Sequence, residues 1–462
     1  MLNRILLYIP GIAFPMLINF VLTILNAQFL SPGEYGILNV YLNSIQILYA
    51  LTCSIFQNSS LRFYSLKKEY GTENEYVTTY LVGNVLSTIL LIPILLICHI
   101  FLKYDIWILL LSVGFNGLFQ FICNLYRVRR ETPKYNFIRC VAAFFSVISL
   151  VVFFKVIKPL SYYWPIISVY GSYGIISLMF LIKHRNEISF KYYSKSLLKN
   201  SIIYGLPLIG VSVLGYIVAT CDQYFILYYL GDVAVGNYSL GHRLVDAVVI
   251  NLLMMILLVM TPELNRVHDE KGYHESSKIL TKMINASVWI IMPISFAIII
   301  YSEYIIDFVF PKYTNASHIM QLVVFASMFH GLSMFTCKGL ELEKNTKFIF
   351  LALLISTAIN CVYNVIFIPI YGLDASAHSS LLAYITYNYL LYVYSRKYYQ
   401  IIFDPSFLAR TSLVTAATVL AAVLLLKSFA ITTFVGLLFQ ILICGAVYIS
   451  LSCLVRLHKV FV

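Results

Sequence analysis

Charged residues are scarce in this chain. Only 11% of its 462 residues are Asp, Glu, Lys or Arg, whereas 60% are apolar and the mean hydropathy is +0.85. A soluble protein carries about 25% charged residues and needs them to cover its surface. The scarcity of charge therefore excludes a soluble enzyme, a secreted disulfide scaffold and a disordered chain, and it indicates that most of the surface faces lipid.

The motifs of metal sites, disulfide frameworks and nucleotide binding are also missing. All nine cysteines lie in apolar runs and none forms a Cys-x-x-Cys pair, so we predict no metal and no cofactor beyond a coupled proton or sodium ion. Without a nucleotide fingerprint or paired catalytic carboxylates, we predict that the chain is not an enzyme. The net charge of +12 would suit nucleic acid in a soluble protein, but the basic residues follow a membrane pattern, and we expect no nucleic acid partner.

Long apolar runs, in contrast, are abundant. A helix needs about 20 apolar residues to cross a bilayer. The predicted fold is an all-α integral membrane protein with about fourteen transmembrane helices, twelve being the lower count. The predicted spans are 5–29, 37–61, 77–102, 106–126, 137–157, 163–182, 202–230, 237–262, 280–302, 316–340, 348–370, 375–395, 407–427 and 431–455.

The connections between these spans differ in basic charge. Of the 32 Lys and Arg residues, 24 fall in connections on one side of the predicted membrane and five on the other. Because cytoplasmic loops are enriched in Lys and Arg, the even span count places both termini in the cytoplasm.

An internal repeat divides the chain. Residues 29–36 align with residues 229–236 at an offset of 200, and Phe115–Cys123 aligns with Phe329–Cys337 at an offset of 214, with five of nine residues identical. Each unit holds six spans, so the two units have the same orientation, as in two-lobed transporters with a central cavity. We predict an N-terminal lobe of six spans over 1–200, a C-terminal lobe of six spans over 201–402, and a helix pair over 403–462.

Polar side chains occupy equivalent positions in the two repeats. Asn39, Asn43 and Gln46 share one face of the second span, and the eighth span carries His242 and Asp246. Polar groups in lipid are expensive and face a cavity or another helix. The predicted substrate cavity therefore consists of Arg243, Asp246, His242, Asn39, Asn43, Gln46 and Asn26.

Arg243 is the most informative single residue. An Arg within a span costs about 3 kcal/mol on insertion scales. Three interpretations stay open: a local pair with Asp246, a cation presented to an anionic substrate, and a side chain reaching the interface. The substrate interpretation suits Arg because its planar fork grips phosphate through two hydrogen bonds.

Asp222 lies late in the seventh span. A carboxylate in lipid pairs with a cation, takes up a proton or is held by hydrogen bonds. We treat Asp222 as a candidate for ion coupling, with a structural hydrogen bond as the alternative.

Several short motifs resemble a known family. Tyr204–Leu208, Asp222–Ile226, Tyr229–Gly231 and Val235–Leu240 are similar to the seventh and eighth spans of Wzx-type polysaccharide flippases, and Leu30–Gly36 resembles the matching first-repeat signature. These translocases of O-antigen and capsule repeat units belong to the multidrug/oligosaccharidyl-lipid/polysaccharide exporter superfamily. The chain departs from the pattern at Gln223, where family members often carry a basic residue.

The resemblance implies a V-shaped pair of lobes that works by alternating access in a bacterial inner membrane. The implied partners are membrane lipid and an oligosaccharide on undecaprenyl pyrophosphate, with a polysaccharide polymerase and a chain-length regulator as further candidates; lipopolysaccharide or capsule synthesis is the implied pathway. The alternatives are a lipid II or teichoic-acid flippase, a drug or cation exporter of the same superfamily, and, in a different class, a membrane polymerase or acyltransferase.

Overall fold

The computed structural model describes residues 10–64, 72–102, 105–399, 404–428, 431, 433–455 and 457. Throughout this part of the chain the regular structure is helical, with no strand, which confirms the predicted fold class. The chain divides into two compact units, Met1–Thr220 and Cys221–Val462. The predicted lobe boundaries at 200 and 402 stay a prediction.

Among the described residues of the first unit, eight helices and a 3-10 turn (Phe190–Tyr192) lie wholly within it. The helices are α1 (Pro10–Phe29), α2 (Pro32–Leu51), α3 (Ser54–Phe63), α4 (Glu73–Ile89), α5 (Ile92–Leu102), α6 (Ile106–Val128), α7 (Thr132–Val156) and α8 (Tyr163–Lys183).

The boundary between the units falls inside the next helix. The remaining helices are α9 (Lys195–Leu230), α10 (Asp232–Val309), α11 (Ala316–Thr336), α12 (Lys338–Leu342), α13 (Thr346–Tyr371), α14 (Leu373–Ser395), α15 (Pro405–Ser428) and α16 (Phe434–Leu454).

Local sequence explains where several helices begin. Ser31 caps α2 by accepting a hydrogen bond of 3.3 Å from the amide of Glu34, and Pro32 occupies the first helical position. Thr72 and Glu75 form a capping box at the start of α4. Such side chains satisfy amides that have no partner within the helix.

Helix α10 is too long to be one span. Its 78 residues would extend about 117 Å at 1.5 Å per residue, whereas the apolar part of a bilayer is about 30 Å thick. Gly272 breaks the helix with a φ of 77°, a conformation that favours glycine. Helix α10 therefore contains the predicted spans 237–262 and 280–302, joined at a polar elbow.

The surface is that of a membrane protein. Eleven helices in the described part of the chain are long and apolar enough to cross a membrane, or twelve if α2 and α3, which meet at 47°, form one span. Large apolar side chains face outward, such as Val156 at 74% and Leu442 at 70% exposure. An apolar surface of this extent requires lipid as its solvent. The chain is a multi-pass membrane protein, while the count of fourteen spans stays a prediction.

The two aligned repeats share one packing contact. A Cβ added at Gly117 of α6 would lie 2.7 Å from Sγ of Cys53, and one added at Gly331 of α11 would lie 1.9 Å from Cδ1 of Leu253. Gly331 is the partner of Gly117 at the offset of 214, and Leu253 is the partner of Cys53 at the offset of 200. Both units thus use glycine to bring equivalent helices close together.

Candidate functional site

Asp222, near the end of α9, is almost fully buried, with 1% of its surface exposed. Its Oδ1 accepts a hydrogen bond of 2.7 Å from the amide of Asn364, and its Oδ2 accepts one of 2.8 Å from the phenol of Tyr238. The hydroxyl of Ser380 also donates to Oδ2. Neutral donors from α10, α13 and α14 therefore replace the water that a carboxylate loses on burial.

The amides next to Asp222 form a network of their own. Nδ2 of Asn364 also donates to Oδ1 of Asn360 at 3.0 Å, and the Ser379 hydroxyl donates to Oδ1 of Asn364 at 2.9 Å. Asn360 and Asn364 lie one helical turn apart and are 0% exposed. Because each amide uses its oxygen and its nitrogen, the network fixes the orientation of the groups around Asp222.

Asp246 is a second carboxylate, two turns after Tyr238 on α10. Its Oδ2 lies 3.2 Å from Nδ1 of His242, and its Oδ1 accepts a hydrogen bond of 2.6 Å from Ser327 of α11. His330 of α11 interacts electrostatically with Asp246 and stacks on the ring of Tyr384 at 4.5 Å between centroids. Asp246 therefore lies in a polar cluster that joins α10, α11 and α14.

Arg243 lies in the same turn as His242 and is partly buried. It interacts electrostatically with His242. Asp246 forms an ion pair with His242, and a local pair between Arg243 and Asp246 stays one of the three interpretations of Arg243. The structure thus brings together Arg243, His242, Asp246 and, through Tyr238, Asp222 in the second unit.

Of the polar residues predicted in the first repeat, Asn26, Asn39 and Asn43 are buried in the first unit and Gln46 is half-buried. Asn39 donates a hydrogen bond of 2.7 Å to the carbonyl of Tyr35, and Gln46 donates one of 3.3 Å to the phenol of Tyr170 on α8. Asn43 is 7% exposed and Asn26 is 8% exposed. Within the described residues Oδ1 of Asn26 has no hydrogen-bond partner. The role of these residues in a substrate cavity stays a prediction.

Sequence reasoning gave no role to the groups that hold Asp222. Tyr238, Ser380, Asn360 and Asn364 were not among the candidate site residues. The available signal was the spacing of four between the two asparagines, which places both amides on one face of α13.

The polar groups around Asp222 and Asp246 are suited to binding a substrate or an ion. Among residues 10–64, 72–102, 105–399 and the shorter described stretches, no group of three or more His, Cys, Asp or Glu residues is placed to hold a metal ion. Buried carboxylates, histidines and an arginine within a membrane are typical of substrate or ion pathways.

Two family models match the chain. A model described as "Polysaccharide biosynthesis protein" matches residues 2–268, which is more than half of the chain, and a model described as "MatE" matches residues 207–366. An uncharacterized membrane protein of Methanocaldococcus jannaschii is 23% identical over 302 residues, which are 62% of this chain and 55% of the relative. The match thus spans about half the length of that relative.

Solved structures share the fold. A lipid II flippase, MurJ, in an inward closed conformation matches 98% of this chain and 99% of its own, with a TM-score of 0.76 and 18% identity. A mutant of the Vibrio cholerae MATE transporter VcmN matches 86% of this chain and 95% of its own, with a TM-score of 0.58 and 12% identity. At 18% and 12% identity, these matches show that the chain shares the fold of these proteins.

Proposed function

The chain belongs to the polysaccharide biosynthesis protein family, and on that premise we propose that it moves lipid-linked oligosaccharide repeat units across a bacterial inner membrane. The carrier is undecaprenyl pyrophosphate, and transport proceeds by alternating access through a central polar cavity. Both termini lie in the cytoplasm, where the repeat unit is built. A polymerase and a chain-length regulator of O-antigen or capsule synthesis act on the product.

The family match carries this proposal. It is supported by Arg243, a partly buried cation within a predicted span. An anionic pyrophosphate requires such a donor, since the guanidinium forms two parallel hydrogen bonds with phosphate oxygens. The lipid tail stays in the bilayer, because apolar side chains form the outer surface of the helices.

Asp222 remains our candidate for ion coupling by a proton or sodium. Neutral donors do not cancel the charge of a buried carboxylate, so binding of a cation next to it is favourable. Asn39, Asn43, Gln46 and Asn26 are proposed to contact the sugar chain, because amides offer both donors and acceptors to hydroxyl groups.

A lipid II or teichoic-acid flippase is the second candidate function. The observation that favours it is the TM-score of 0.76 over 98% of this chain with a lipid II flippase. Both substrates join an anionic phosphate to a polyprenyl tail, so Arg243 would serve either one.

A complementation experiment tests the proposed function. In a strain that lacks the gene, we expect lipid-linked repeat units to accumulate and surface glycan to disappear. The wild-type gene restores the glycan, the Arg243→Ala variant fails at equal protein level, and Arg243→Lys restores part of it. The matched control is Arg266→Ala, because Arg266 is exposed and pairs with Glu263 at 2.6 Å.

The outcome separates the candidates. Loss of the glycan with accumulated repeat units supports the repeat-unit flippase. Accumulation of lipid II or a teichoic-acid precursor instead supports the second candidate. Normal glycan from Arg243→Ala removes Arg243 from the mechanism.

A further inference from the structure

A row of titratable side chains runs along one face of α10. Tyr238, His242 and Asp246 follow one another at intervals of four residues, which places them on the same face. Tyr238 donates to Asp222 at 2.8 Å, and Nδ1 of His242 lies 3.2 Å from Oδ2 of Asp246. Two carboxylates therefore enclose a phenol and an imidazole in one row, which we call the Asp222–Asp246 row.

The neighbouring helices add few further charges to this row. Helix α9 contributes Asp222, and α10 itself contributes Arg243, which interacts electrostatically with His242. Helix α11 contributes His330, which interacts with both Asp246 and His242. Helix α14 contributes Tyr384, stacked on His330. Helix α13 contributes the neutral amides of Asn360 and Asn364. The thiols of Cys221 on α9 and Cys361 on α13 also interact electrostatically with Asp222.

The charges of this row do not balance when both histidines are neutral. Two carboxyl groups, Asp222 and Asp246, share the row with one guanidinium, Arg243, so the row with every acid ionised has one negative charge in excess. An uncompensated charge in a low-dielectric interior is strongly unfavourable. One proton brings the row to neutrality, whereas a second would place two imidazolium groups close together.

The hydrogen bonds indicate which group takes that proton. Nδ1 of His242 directly faces a carboxylate oxygen, so a hydrogen on Nδ1 is donated to Asp246 and Nε2 carries the free electron pair. His330 stacks on Tyr384 and interacts with Asp246 without a direct ion pair among the described contacts. A hydronium ion of the solvent thus gives its proton to Nε2 of His242, leaving water, and forms an imidazolium that Asp246 stabilises.

We propose that the His242–Asp246 pair binds one exchangeable proton, and that Tyr238 links the charge of this pair to Asp222. Uptake makes the row neutral, and release restores its negative charge beside Arg243, the group proposed to hold the substrate phosphate. A coupling of proton movement to transport follows, and this coupling rests on the proposed function. The proton site itself does not.

The proton site is tested by nitrogen-15 NMR of the histidine rings in the full-length protein in lipid nanodiscs. We expect one ring with both nitrogens protonated at neutral pH, lost in His242→Gln and converted to the neutral form in Asp246→Asn. His378→Gln is the matched control, because His378 is exposed on α14. A neutral His242 ring in the wild type overturns the proposal. A His242 ring that stays doubly protonated in Asp246→Asn overturns it as well.

The coupling is tested in proteoliposomes that contain a polyprenyl-pyrophosphate-linked oligosaccharide. We expect an imposed pH gradient, but not a sodium gradient, to change the rate of substrate movement, and Asp246→Asn to reduce this response at least tenfold. Transport that ignores the pH gradient, or follows sodium only, overturns the coupling. If the wild type moves no substrate under any gradient, the proposed function fails, and the NMR result decides the proton site.

Discussion

The phenol of Tyr238, near the start of α10, donates a hydrogen bond of 2.8 Å to Oδ2 of Asp222, near the end of α9. The two residues are separated by 16 positions and by a turn at Gly231, whose φ is 85°. This bond ties the ends of two consecutive spans together around a buried carboxylate. The ring centroid of Tyr238 also lies 5.8 Å from that of His242, one turn further along α10.

Removing the Asp222 side chain is expected to destabilise the protein. Asp222→Ala leaves the donors of Tyr238, Asn364 and Ser380 without their acceptor, at a cost of about 1–3 kcal/mol for each donor that stays unsatisfied. Asp222→Asn costs less, because its amide oxygen still accepts and the hydroxyl groups can rotate. Thermal unfolding in detergent measures both effects.

Asp307→Ala is the control for this comparison, since Asp307 is an exposed residue of the same unit. Equal stability of the Asp222→Ala and Asp307→Ala variants would show that the hydrogen bonds around Asp222 contribute nothing to stability. A stable Asp222→Asn variant that has lost its response to ion gradients would separate the charge of Asp222 from its structural role.

The close packing of Leu253 on Gly331 predicts that substitutions at these two positions affect stability in a coupled way. Gly331→Ala places a methyl group 1.9 Å from Cδ1 of Leu253, which is fully buried, so we expect a loss of about 1–3 kcal/mol from overpacking. Leu253→Ala opens space at the same point, and the double variant is expected to recover part of that loss. Chemical unfolding of the four proteins gives the interaction free energy.

Gly445→Ala is the matched control for the glycine substitution. A Cβ at Gly445 meets nothing within 4 Å, and alanine favours helix by up to about 1 kcal/mol, so this variant keeps or gains stability. If Gly331→Ala behaved like Gly445→Ala, the Leu253 side chain would have room to move away, and tight packing of Leu253 on Gly331 would be wrong.

The ion pair of Arg129 in the first unit predicts that Arg129 contributes more to the free energy of unfolding than Arg127 does. Nε of Arg129 donates to Oε1 of Glu73 at 2.8 Å, and Glu187 lies 3.7 Å away. Partial burial acts to lower the pKa of Arg129, but the hydrogen bond and charge of Glu73 outweigh it and raise that pKa. We expect Arg129→Ala to cost about 1 kcal/mol, whereas Arg127→Ala, at an exposed position, costs little.

The pH dependence of this pair follows from the direction of the shift. A raised pKa means that the arginine stays charged and the contact is retained up to strongly alkaline pH. In acid the contact is lost once the glutamate takes up a proton, and a guanidinium within hydrogen-bond distance moves that protonation below the ordinary pKa of about 4. Unfolding of Arg129→Ala and Glu73→Ala, singly and together, gives the interaction free energy of the pair at pH 7; an interaction free energy of zero contradicts the ion pair.

The sequence by itself determined the class of molecule. The scarcity of charge and the repeated apolar runs require lipid as the main solvent, and the offset of 200 recurs in the starts of α2 at Pro32 and α10 at Asp232. These properties depend on local composition and periodicity, and the backbone must satisfy its hydrogen bonds within helices in lipid. Arg243, Asp222 and Asp246 were identifiable because a charge in an apolar run is conspicuous.

Only the tertiary structure decided how those charges are partnered. Asp246 pairs with His242 and Ser327, and Asp222 is held by Tyr238, Asn364 and Ser380. Ser327, Asn364 and Ser380 come from helices 81 to 158 positions away. The helices of this chain hold many serines and asparagines, so residue type alone does not identify the partner of a given carboxylate. The partner is fixed by which helix faces meet, and that is a property of packing rather than of local sequence.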